Sequence, residues 1–145
     1  MRLKWMLLLI AAMATNAVAQ DRKSERMSKM EQRHEFVIRF AGEPKSSVPF
    51  TRSYDFEPLG RHTLLLYESM NRAYLVEIED FCPDLPIAMA IGVDNKTSIL
   101  NAKFDALRIG GRSCQILQIR PVDVKAMKAA QKAEREAAKA AKPSP

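Results

Sequence analysis

The sequence predicts a mainly β domain: a small antiparallel sheet or barrel of six to seven short strands, tied by one disulfide, with an appended C-terminal Ala/Lys-rich helix. Three observations carry that expectation. Short β-prone runs recur between residues 34 and 122, each ended by Gly, Pro, Asn or Asp. The only two cysteines, Cys82 and Cys114, border two of those runs in a chain that opens with an export-type segment. Residues 123–145 then change composition abruptly to alanine, lysine and glutamate without glycine.

Met1 to Ala19 has the three parts of a secretory signal. Arg2 and Lys4 form the positive end, Trp5 to Met13 the apolar run, and Ala17-Val18-Ala19 the small-residue site before Gln20. The run is too short for the roughly 20 apolar residues that cross a bilayer. The expectation is cleavage near Ala19, no transmembrane segment afterwards, and a periplasmic or secreted destination. Residues 20–33 hold five basic and three acidic groups, with Met27 and Met30 the only large apolar residues. They read as a polar linker, disordered or a frayed helix, because so little surface can offset ordering entropy.

Residues 34–122 read as the folded domain; all six Phe and all three Tyr fall between Phe36 and Phe104. Phe36-Val-Ile-Arg-Phe40 is a short β-prone run before Gly42 and Pro44, and Val48 to Phe56 is a weaker one. Thr63–Tyr67 and Ala73–Ile78 have hairpin spacing with a polar loop of about five residues. Alternation puts Tyr74, Val76 and Ile78 on one face and Glu77 with Glu79 on the other, the pattern of a sheet covered on one side. Residues 87–93 are apolar after Pro83 and Pro86 and fit a strand or one helical turn. Lys103–Ile109 reads as a strand, Gly110-Gly111 as a tight turn, and Cys114–Ile119 as the last strand. An even cysteine count in a short exported chain predicts a Cys82–Cys114 disulfide.

The tail, residues 123–145, reads as a basic helix stopped by Pro143. Lys125, Lys128, Lys132, Arg135, Lys139 and Lys142 follow at steps of three and four, so they share one stripe. They are the candidate contacts for an anionic surface. With mainly alanine elsewhere, the tail is expected to add little to the stability of the domain.

Charge distribution narrows the partners. The formal net charge is +6, yet residues 34–122 hold ten basic and eleven acidic groups, so the excess lies in the flanks. A nucleic-acid binder concentrates cations and stacking aromatics on its folded face, a pattern this chain lacks. Metal sites need three or four convergent ligands; His34, His62 and two bridged cysteines fall short, so neither metal nor cofactor is expected. Cys82 and Cys114 stand too far apart for a C-x-x-C redox pair, and no Gly-framed serine marks a nucleophile. Glu77, Glu79, Asp80 and Asp84 cluster in sequence, but alternating acids on a strand suit a solvated face better than a calcium site.

Tyr74-Leu-x-x-Ile-x-x-x-Cys82-Pro-x-Leu85, followed by Cys114-x-Ile-x-x-Ile-x-Pro121-Val-Asp123, resembles a bacterial family of small exported proteins catalogued as a domain of unknown function. The resemblance covers about residues 34–123. It implies export and the Cys82–Cys114 bridge, and carries over no activity. Extra cysteines found in other members have no counterpart here. The expected function is therefore a non-enzymatic exported module whose cationic tail contacts an anionic envelope component or a protein partner. The rival readings are a small periplasmic enzyme with a site assembled from dispersed Asp, Glu, His and Tyr residues, and a structural protein with a spacer tail.

Overall fold

The computed structural model describes residues 2–80 and 82–142, with side chains from Ala19 onward. The signal-segment reading rests on side chains of residues 1–18, outside the described ones. The element order is α1 (Arg2–Ile38), β1 (Ser47–Pro49), β2 (Asp55–Pro58), β3 (Thr63–Ser69), β4 (Arg72–Ile78), β5 (Ile91–Asp94), β6 (Ile99–Asn101), β7 (Ala106–Ile109), β8 (Arg112–Val122) and α2 (Val124–Ala140), with a 3-10 turn at Leu85–Ile87. Six strands form a curled antiparallel sheet in the order β2-β3-β4-β8-β7-β5, and β1 pairs with β6 in a small second sheet. Among the described residues, no helix is long and apolar enough to cross a membrane.

One face of the large sheet closes over the main core. Leu64, Leu66, Tyr74, Val76, Ile116 and Ile119 point into it, and Val48 and Leu100 of the small sheet, with Phe50 just after β1, complete it. Tyr74 donates its hydroxyl to the Pro49 carbonyl at 2.8 Å, so the aromatic is buried without an unpaired polar end. Cys82 and Cys114 are bonded inside this core, with Cα atoms 6.1 Å apart. That separation lies in the roughly 4.4–6.8 Å window of an unstretched bridge. The bond ties the corner after β4 to the start of β8.

The opposite face is covered as well, where alternation suggested solvent. Leu65, Ala73, Leu75 and Val122 bury against Phe36 and Val37 of α1 and against Val124 and Met127 of α2. This is why Leu64-Leu65-Leu66 and Ala73-Tyr74-Leu75-Val76 are buried without interruption. A strand apolar on both sides is packed on both sides. Glu77 alone on that part of β4 keeps to solvent. The expected indifference of the domain to its tail is therefore overturned, since Val124 and Met127 are each only 1% exposed.

Other expectations shift for local reasons. Phe36–Ile38 ends a helix and is not a strand. Met27, Met30, His34 and Val37 follow at helical steps and, with Arg33 and Phe36, are the residues that the described part of α1 turns inward, so residues 20–33 continue that helix. The β3–β4 loop is shorter than five residues, because Ser69 pairs with Arg72 past a bulge at Tyr67/Ser69. The apolar run 87–93 divides between the 3-10 turn and β5. Lys103 adopts a left-handed φ of 70°, in a turn that Asp105 holds by accepting the Asn101 amide at 2.6 Å; the strand starts only at Ala106. Gly110 and Gly111, at φ 57° and 82°, make the expected two-residue hairpin. Asp84 packs beneath it, its Oδ2 only 2.8 Å from where a Cβ at Gly110 would stand.

Glu68 adds an acid-sensitive anchor. Its carboxylate, 8% exposed, accepts from the Thr51 amide and hydroxyl and from Arg72. Burial alone would raise its pKa, but these hydrogen bonds outweigh it and hold the group below its ordinary 4.5. A depressed folded pKa gives stability that is complete above pH 4.5 and lost as pH falls through the lower folded value. In urea titrations between about pH 3 and 7, Glu68→Gln should flatten that acid limb.

Candidate functional site

Helix α2 starts on Asp123, whose side chain accepts the Ala126 amide at 2.9 Å and caps the first turn. Val124 and Met127 anchor that turn, and from Lys132 to Lys142 every residue is exposed. The helix is therefore half bracket and half free arm. At 3.6 residues per turn, the basic stripe is turned by about 110° from the face carrying Val124, Met127 and Ala130. The structure brings all six candidate cations to solvent, as the spacing requires.

They are not equivalent. Lys128 donates to the Met70 carbonyl at 2.6 Å and belongs to the bracket. Lys132 stands 3.9 Å from Glu136. Lys125, Arg135, Lys139 and Lys142 have no ion pair among the described residues. Glu134, on another side of the arm, meets Arg39 at 3.3 Å, and that guanidinium lies over the Phe36 ring at 4.6 Å. Six residues before Arg39, Arg33 grips Glu57 on β2 through two bonds of 2.8 and 3.1 Å. Hydrogen bonding to Glu57 raises the Arg33 pKa further, so this clasp between α1 and the sheet stays charged. Sequence spacing could not find it, because Arg33 and Glu57 are 24 positions apart.

The acidic residues disperse. Glu79 accepts the Gln115 amide at 2.9 Å and extends the β4–β8 seam, Asp84 underlies the Gly110 turn, and Glu77 faces solvent. Asp80 comes within 3.4 Å of His62 Nδ1. His62 and His34 do share a shallow cleft of about 290 Å³ with Glu31 and Thr63. The buried His62 Nδ1 has no aligned hydrogen bond there, and Asp80 is 86% exposed, so its pull on the ring is screened by water. Among the described residues, no group of three His, Cys, Asp or Glu side chains is placed to hold a metal ion.

Fold and surface together define a small, disulfide-tied, mainly β domain, braced by two helices and carrying a basic helical arm. The chain belongs to the family of unknown function DUF6491, whose family model matches residues 1–138. That extent takes in the whole sheet, α1 and most of α2. No curated protein and no solved structure matches the chain.

Proposed function

We propose that this protein is exported to the periplasm after cleavage near Ala19 and works there as a non-enzymatic binding module, its α2 arm contacting an anionic envelope component. The observation that supports the reading is the free half of α2. Lys132, Arg135, Lys139 and Lys142 stand on one stripe, exposed to solvent, on a half-helix whose other residues are alanines and the two acids Glu134 and Glu136. An arm without large apolar side chains cannot insert into a bilayer, so its attraction to lipid headgroups or acidic polymer is electrostatic and reversible. Each cation close to an anionic surface contributes about 1 kcal/mol, less as salt shortens the Debye length. Buried cysteines already joined in a bridge suit an oxidising compartment.

Deleting residues 132–145 tests this without touching Val124 or Met127. The full chain should co-sediment with anionic vesicles or cell-wall fragments at low ionic strength and lose that binding at high salt, and the shortened chain should not bind at all. If the shortened chain sediments as well as the full one, the arm is a spacer.

A further inference from the structure

A second basic surface lies far from α2 in sequence, and its build differs. The middle of α1 and the corner after Cys82 enclose a cleft of about 530 Å³, within the roughly 300–1,000 Å³ of small-ligand pockets. Its apolar lining is Ala19 and Met27 of α1 with Pro83, Pro86 and Ile87 of the corner. Its polar rim is Arg22, Lys23 and Arg26 of α1, joined by Arg61 from the turn between β2 and β3. Among the described residues, no acidic one lines it.

The pairing pattern along α1 and just past its end sets these cations apart. Lys29, Arg33 and Arg39 each have a carboxylate partner, Glu25, Glu57 and Glu134 in turn. Arg22, Lys23, Arg26 and Arg61 have none among the described residues. Like charges gathered without counter-charge repel one another, as Arg22 and Arg26 do across one helical turn. A bound anion relieves that repulsion.

The apolar wall is held in place before any ligand arrives. Cys82 is bonded to Cys114, Leu85 is fully buried, and Asp84 packs under the Gly110 turn. Two prolines stiffen the segment between them. Ile87 is nevertheless 64% exposed, an apolar side chain on a fixed wall with nothing over it. A preformed wall saves the ordering entropy that a mobile one would cost on binding.

We propose that this cleft binds a single-chain amphiphile with an oxyanion head, the alkyl body lying on Met27, Pro83, Pro86 and Ile87 and the head held by Arg22, Lys23, Arg26 and Arg61. Guanidinium groups match phosphate and carboxylate oxygens in paired bonds. A polymer or membrane surface would call for a long row of cations, as on α2; a compact ring around an apolar slot takes one head. The inference stands apart from the role of α2.

Isothermal titration of the purified full chain with dodecyl phosphate, kept below its micellar concentration, should give one binding event per chain. Inorganic phosphate supplies the head alone and dodecyl maltoside a chain with a neutral head; each should bind at least tenfold more weakly. Arg26→Ala combined with Arg61→Ala changes two exposed positions and should weaken dodecyl phosphate at least tenfold, with the thermal midpoint unchanged. Ile87→Ala should weaken it several-fold through the chain, and deletion of residues 132–145 should leave it unaltered. The proposal is overturned if no binding event is seen, if either half-ligand matches dodecyl phosphate, or if the arginine variant binds like the parent.

Discussion

Replacing Cys82 and Cys114 together by alanine lowers the stability of the domain by about 3–4 kcal/mol. The bridge closes a loop between positions 32 apart, and that loop contains β5, β6 and β7. Without it, the unfolded chain regains the freedom of the whole segment. A domain of this size holds only about 5–15 kcal/mol in all, so the thermal midpoint should fall by roughly 10–25 °C. Both sulfurs also lie in the main core, so the alanines leave unfilled space that adds to the loss. The measurement is a melt of the oxidised parent, the reduced parent and the double variant. The reduced parent should melt well below the oxidised form and the double variant lower still, by the cavity its alanines leave; three coincident curves would show that the bond is structurally idle.

The second large effect is at the root of α2. Met127→Ala should cost about 2–5 kcal/mol, the range for emptying a fully buried site, because Met127 sits against Phe36, Val37, Leu59 and Leu65. Met127→Leu, which nearly conserves volume, should cost less than about 1.5 kcal/mol. Deletion of residues 124–145 uncovers the part of the outer face of β3 and β4 that Val124 and Met127 cover and should destabilise at least as much as Met127→Ala. Deletion of 132–145, where every described residue is already exposed, should stay within about 0.5 kcal/mol of the parent. Urea unfolding midpoints of the four variants separate bracket from arm; equal midpoints for the two deletions would mean that α2 does not brace the sheet.

What the sequence disclosed, and what it hid, follows from how far each signal reaches. The bridge was legible from two cysteines and a signal-like N-terminal pattern, and the Gly110-Gly111 turn from backbone chemistry that acts within four residues. Stripe spacing along α2 is likewise local. The outer layer was not legible in that way. Met27, Met30, His34 and Val37 form one helical face, but a boundary drawn at residue 33, where charge gives way to aromatics, cut it into a linker and a supposed strand. The uninterrupted Leu64-Leu65-Leu66 run did announce that both faces of β3 are covered; alternation read on β4 alone concealed it. At the sites, Arg61 lies far along the chain from Arg22 and Arg26, and Glu57 from Arg33. Such pairs exist only once the sheet has placed β2 beside α1.

The place of β8 in the sheet has a bearing on timing. It is the last strand made, yet it lies between β4 and β7, and its far end receives the segment after α1 through Gly42 and Lys45, which donate their amides to Pro121 and Ile119. A chain emerging from the ribosome can form the β3–β4 hairpin early, but it cannot join the two halves of the sheet until residue 122 has been synthesised. Contacts of such sequence separation are slow to form in any case. The nascent protein can therefore hold a hairpin early but cannot close its main core until nearly its whole length has been made.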